Sequence, residues 1–215
     1  MKAVRTVLWV TLFSIAFAFV EASVVVYLRA IYYPEGFALP LKAISSFHLG
    51  VELAREVATM AMLATVGILV GRTRWERVSH FMIAFGVWDI FYYAWLKLIL
   101  DWPTSVFDWD ILFLIPVPWI GPVIAPLLVS LCMIVGGTMV VRLEQRGVRF
   151  HPSKLVWLLT IVGSLAILFS FVYDVDATLR SLSPRPYPYP VLWLGMICYL
   201  GALYSVSALG RKKAV

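Results

Sequence analysis

The sequence predicts an all-α, polytopic membrane protein with six transmembrane helices. Three observations predict it. Apolar residues make up 62% of the 215 and charged residues 14%, against about 25% charged in a typical soluble domain, and the mean hydropathy is +0.90. The apolar residues are gathered into six runs, each long enough to cross a hydrocarbon core of about 30 Å. The basic residues fall in short loops that alternate between two sides. This composition excludes a soluble enzyme, a disordered chain and a disulfide scaffold. Cys132 and Cys198 lie in separate apolar runs and form no CxxC pair, so both are expected to be buried free thiols.

The first run, Val7 to Leu28, follows Lys2 and Arg5 and contains Ala16-Phe17-Ala18, a small-residue pattern of the kind found at signal cleavage sites. Apolar character resumes after it, so an uncleaved first span is expected, with a removed signal as the alternative. His48 to Val70, Phe81 to Leu100, Ile120 to Val141, Leu155 to Tyr173 and Val191 to Leu209 complete the set. Between the third and fourth spans, Ile111 to Ile115 is too short to cross and is closed by Pro116, Pro118, Pro122 and Pro126. It is expected to lie at the interface or to re-enter, packed on protein, with Asp110 as its helix cap. The chain is read as one transmembrane domain, 1–215, with site-bearing helices in 1–100 and an apolar scaffold in 101–215.

Charge sets the orientation. Lys2, Arg5, Arg72, Arg74, Arg77, Arg142, Arg146, Arg149, Lys154, Arg211, Lys212 and Lys213 fall on one side. The positive-inside rule makes that side cytoplasmic, with both termini inside, in the cell's inner membrane. The net charge of +6 is thus a matter of topology, and no nucleic-acid partner is expected. Asp101, Asp108 and Asp110 read as outer-loop residues.

The polar residues are unevenly placed. The last three spans contain no ionisable residue, whereas the first three carry Glu21, His48, Glu52, Arg55, Glu56, Asp89 and Lys97. Charge inside a bilayer is costly and marks function or a partner. His48, Glu52 and Glu56 are spaced i, i+4, i+8, which puts them on one helix face, and Thr59 continues the stripe. Glu21 and Glu56 each lie roughly 21 Å from the inner ends of their spans at 1.5 Å per residue, so they share a layer. Asp89, Tyr92, Tyr93 and Lys97 share a face of the third span. The pattern predicts a polar pocket between spans one, two and three, open to the outside. Gly201 and Ser205 on span six, and Ala54 and Ala58 on span two, are expected to allow close helix contact.

Three chemistries fit the pocket. In the first, Glu21, His48, Glu52 and Glu56 hold Fe, Mn or Zn, since hard carboxylates with one imidazole suit those ions; the cationic Arg55 beside them opposes it. In the second, Glu21, Glu52, Glu56 and Asp89 do acid–base work without metal, on a small or lipid-like substrate held by Arg55, Tyr92, Tyr93 and Lys97. In the third, Arg55 simply pairs with Glu21 or Glu52 to fix helix packing. His48, His80 and His151 lie at different levels, so no pair can sandwich a haem. The leading expectation is a small membrane enzyme or binding protein. The alternatives are a proton-coupled transporter, since three spans on either side of the middle resemble the layout of inverted repeats, and a non-catalytic subunit that docks on other membrane proteins.

Overall fold

A computed structural model describes residues 2–37, 45–180 and 185–212. Lys213, read above as a topological charge, lies outside them. Seven helices and one β-hairpin follow in the order α1 (Lys2–Tyr32), α2 (Ser46–Val70), α3 (Arg74–Leu100), β1 (Trp109–Phe113), β2 (Trp119–Pro122), α4 (Ile124–Gln145), α5 (Lys154–Val172), α6 (Val175–Leu179) and α7 (Tyr189–Lys212). Six of the helices are long and apolar enough to cross a membrane. Their outer surfaces are apolar: Leu69 is 79% exposed, Leu98 75% and Leu165 63%. That is the reverse of a water-soluble bundle and matches a lipid-facing one.

The helix starts follow local chemistry. The hydroxyls of Ser45, Thr73 and Ser153 accept from the backbone N–H three residues on, which caps α2, α3 and α5. α3 is the central helix, packed on α1, α2 and α4, while α5 packs chiefly on α7. Glycines set the closest approaches. A Cβ on Gly86 would lie 2.6 Å from the Ser130 carbonyl oxygen, and one on Gly195 would lie 2.6 Å from Ile167 Cγ1 and 2.9 Å from the Gly163 carbonyl oxygen. Of the other small residues expected to do this, Ala54 and Ala58 are exposed, whereas Gly201 does pack closely, since a Cβ there would meet a Leu159 methyl of α5 at 3.3 Å.

α1 and α2 barely touch one another although both lie on α3. The gap between them is the feature that positions the site.

The short piece between the third and fourth spans is a β-hairpin. β1 and β2 pair antiparallel, with Trp109 opposite Pro122, Asp110 opposite Gly121 and Ile111 opposite Ile120, and the register shifts between Ile111 and Phe113. Trp109, Ile111 and Phe113, at alternate positions, are aromatic or β-branched and favour a strand over a helix, and the prolines near the turn donate no backbone N–H. A lone two-stranded hairpin is marginal in water. Here Trp109, Leu112 and Trp119 pack against a core of Ala125, Ile167, Phe171, Tyr187, Leu192 and Met196, which holds it in place. Asp110 therefore caps no helix; it is a strand residue, 4% exposed.

Candidate functional site

The buried face of α2 carries Glu52, Glu56, Thr59, Leu63 and Gly67, so the polar stripe read from the spacing faces inward. Across the gap, Glu21 on α1 accepts a hydrogen bond from Thr59 Oγ1 at 3.1 Å. This puts Glu21 and α2 in one layer, as the residue counting anticipated. Arg55 bridges the two helices. Its Nε and Nη2 donate to Glu52 Oε2 at 2.9 and 2.7 Å, and its Nη1 is ion-paired with Glu21. One guanidinium thus serves two buried carboxylates.

Glu56, one residue on, turns to the hairpin instead. Both its oxygens accept from the Leu114 backbone N–H at 3.0 Å, which ties the hairpin turn to α2. On α3, Asp89 accepts from Ser130 Oγ of α4 at 2.8 Å. A second cation completes the ring: Arg29 of α1 donates from Nη2 to Asp110 Oδ1 at 3.1 Å. Its guanidinium carbon lies 3.7 Å from the centre of the Trp102 ring and 4.6 Å from that of Phe37, a cation–π arrangement. Burial pushes the Asp110 carboxyl up to about 6, against the opposing pull of Arg29. At neutral pH it is therefore mostly ionised and paired.

These groups enclose a cavity of about 120 Å³ between α1, α2, α3 and residues 110–114. A single ordered water needs only about 10–15 Å³ on such a measure, so the space holds several waters or a small organic group. Tyr92 stands among Arg29, Arg55, Asp89 and Asp110, within electrostatic reach of each. It stacks on Trp88 at 6.4 Å and meets Tyr93 edge-on at 4.9 Å.

Of the residues singled out from the sequence, Glu21, Glu52, Arg55, Glu56, Asp89, Tyr92 and Tyr93 all line this cavity. His48 and Lys97 do not. His48 sits at the first turn of α2, where its Nδ1 shares a hydrogen bond with the Tyr32 hydroxyl. Lys97 is half exposed and pairs with Asp101 at 2.7 Å. Among the described residues, no group of three His, Cys, Asp or Glu side chains is arranged to hold a metal ion. Arg55 occupies the position between Glu21 and Glu52 that a shared ion would need. Asp108 is a loop-builder: its Oδ2 accepts from Thr104 N, Thr104 Oγ1 and Ser105 N at 2.7 to 3.1 Å.

Four participants were missed: Arg29, Asp110, Ser130 and the Leu114 N–H. Arg29 was legible, since it lies eight residues after Glu21 and so on the same helix face. Asp110, Ser130 and the Leu114 N–H carry no local signal, because long-range packing alone brings Asp110 and Leu114 to the cavity wall and Ser130 to Asp89. Compared with known protein families, curated proteins and solved structures, the chain matches none.

Proposed function

We propose that this cavity is the ligand site of a small multi-pass membrane enzyme or binding protein that uses acid–base chemistry on a small or lipid-like substrate. The chain lies in the inner membrane with both termini cytoplasmic, and the cavity opens toward the outer face. One observation carries the reading: five carboxyl groups and two guanidiniums surround a single enclosed space inside an otherwise apolar bundle. Buried charge is retained at a cost of several kcal/mol per ion unless it is paired. Pairing accounts for part of this set only.

The roles divide by partner. Glu21, Glu52 and Arg55 neutralise one another and clamp α1 to α2. Asp110 and Arg29 do the same for the hairpin and α1. Among the described residues, Glu56 and Asp89 accept from neutral donors, such as the Leu114 N–H and the Ser130 hydroxyl. They are the two carboxyls left to give or take a proton from a bound molecule. Tyr92 and Tyr93 supply an aromatic wall and hydroxyls for orientation.

The test is a thermal-shift panel of small metabolites and lipids on the purified chain, beside Asp89→Asn and Glu56→Gln. Both substitutions keep an acceptor for the existing donor. The reading expects at least one compound that raises the unfolding temperature of the parent protein and has a much weaker effect on the variants. Compounds acting equally on all three proteins, or no active compound, would contradict it.

A further inference from the structure

The cavity has more acid than base, and the geometry shows which charges are already spent. Arg55 is taken by Glu21 and Glu52, and Arg29 by Asp110 and the two rings around it. Lys97 is outside, paired with Asp101. Among the described residues, no guanidinium or ammonium at the cavity is left to receive an anionic group. Five carboxyls against two guanidiniums leave a surplus of acid, which protons or a cationic ligand must balance.

A second observation bears on which cation. Asp110 lines the cavity and is 4% exposed; its Oδ1 takes Arg29, and its buried Oδ2 has no donor at full hydrogen-bonding geometry among the described residues, the Tyr93 hydroxyl being the neutral group that interacts with the carboxylate. A buried acceptor of this kind is expensive to leave unmade. The rings of Trp88, Tyr92 and Tyr93 stand in the same cavity wall. Carboxylate oxygens beside aromatic faces complement an N–H-bearing cation. The protein builds this pairing once already with its own side chain, where Arg29 lies over Trp102 and donates to Asp110. The carboxyls do not converge as metal ligands do.

Resting on the ligand-site reading above, we infer that the cavity binds a protonated amine, with Asp89, Glu56 and Asp110 as its acidic partners and Trp88, Tyr92 and Tyr93 as its aromatic wall. The same ammonium group occurs on free small amines and on aminophospholipid head groups, and the experiment separates the two.

The full-length chain in detergent is melted with ethylammonium chloride, with sodium chloride at equal ionic strength, with sodium phosphate, and with manganese or zinc chloride. A parallel series adds mixed micelles of phosphatidylethanolamine or phosphatidylglycerol. The proposal expects a saturable rise in unfolding temperature with ethylammonium or with phosphatidylethanolamine, beyond the salt and phosphatidylglycerol controls. The half-saturating concentration should increase roughly ten- to hundredfold in Asp89→Asn and in Glu56→Gln, the loss expected for a charge-assisted hydrogen bond. A response to ethylammonium marks a free amine, and a response to phosphatidylethanolamine alone marks a lipid head group. Two variants are used so that one failing to fold leaves the other to decide. A response unchanged in both variants, or confined to phosphate or to the metal salts, overturns the proposal. So does the absence of any amine response. If neutral compounds from the panel still act and lose effect in Asp89→Asn, the ligand site stands and only its preference for a cation falls. If nothing acts, both fall.

Discussion

The α1–α2–α3 region and the α5–α7 pair solve the same packing problem in opposite ways. α5 and α7 approach closely through Gly163 and Gly195, with Ile167 and Tyr199 filling the contact. Ser164 of α5 hydrogen-bonds to Tyr199 of α7, and Ser170 to Tyr187 just before α7. α1 and α2 hardly touch, and polar side chains join them: Arg55 between Glu21 and Glu52, Thr59 on Glu21, and His48 with Tyr32 at the helix entrance. Close packing leaves no room for a ligand. A joint made of ion pairs leaves a cavity, and it retains buried charge that a purely structural contact does not need. The contrast teaches where chemistry is to be sought in this chain.

Breaking each joint should show different signatures. The largest effect is expected for Arg55→Ala, which strands two buried carboxylates. It should lower stability by about 3–5 kcal/mol, and adding Glu21→Gln and Glu52→Gln should restore much of the loss in a thermal melt. No recovery would place the value of Arg55 elsewhere. Next is Gly195→Val on the apolar side, where the added atoms meet Ile167 and the Gly163 carbonyl. Overpacking of this kind costs about 1–3 kcal/mol, and it should be insensitive to salt and pH.

Asp110 sharpens the comparison through pH. Its folded-state carboxyl keeps its proton up to about pH 6, above the ordinary value near 3.9. Between about pH 4 and pH 6 the folded protein therefore binds more protons than the unfolded chain, and stability falls as pH rises through that window, levelling off above it. Melts across that range should show a shallower slope in Asp110→Asn; an unchanged slope would dissociate the titration from this residue. The smallest effect is expected for Lys97→Ala. Its pair with Asp101 is exposed and solvent-screened, so stability should hardly change, and ligand-induced shifts should be unaltered, as Lys97 lies outside the cavity.

The helices and much of the site were legible because they depend on local periodicity. Six apolar runs recur as six long helices, with ends displaced by a few residues where polar caps such as Thr73 start a helix earlier than the apolar run does. The stripe of Glu52, Glu56 and Thr59 follows from 3.6 residues per turn, and its meeting with Glu21 from equal rise along two helices. The hairpin was read only as a short segment packed on protein, since five apolar residues carry too little pattern to separate strand from re-entrant coil. Asp110 looked like a solvated loop acid because nothing near it in sequence reports Arg29. His48 was drawn into the stripe by spacing, yet it sits at the helix entrance, where Tyr32 is the nearer partner. Spacing assigns a face; depth and neighbours come from tertiary packing.

If the cavity among α1, α2, α3 and the hairpin carries a surplus of negative charge, a thiol placed there without removing an acid reports it. Val25 lines the cavity, and Val25→Cys in a Cys132→Ser, Cys198→Ser background provides that thiol. Its rate of modification is measured with an aminoethyl and with a sulfonatoethyl thiosulfonate reagent, each relative to a small free thiol in solution. A surplus of negative charge gives a normalised preference of roughly tenfold or more for the cationic reagent, a difference of about 1.4 kcal/mol between the two reagents. Equal rates, or a preference for the anionic reagent, would contradict it.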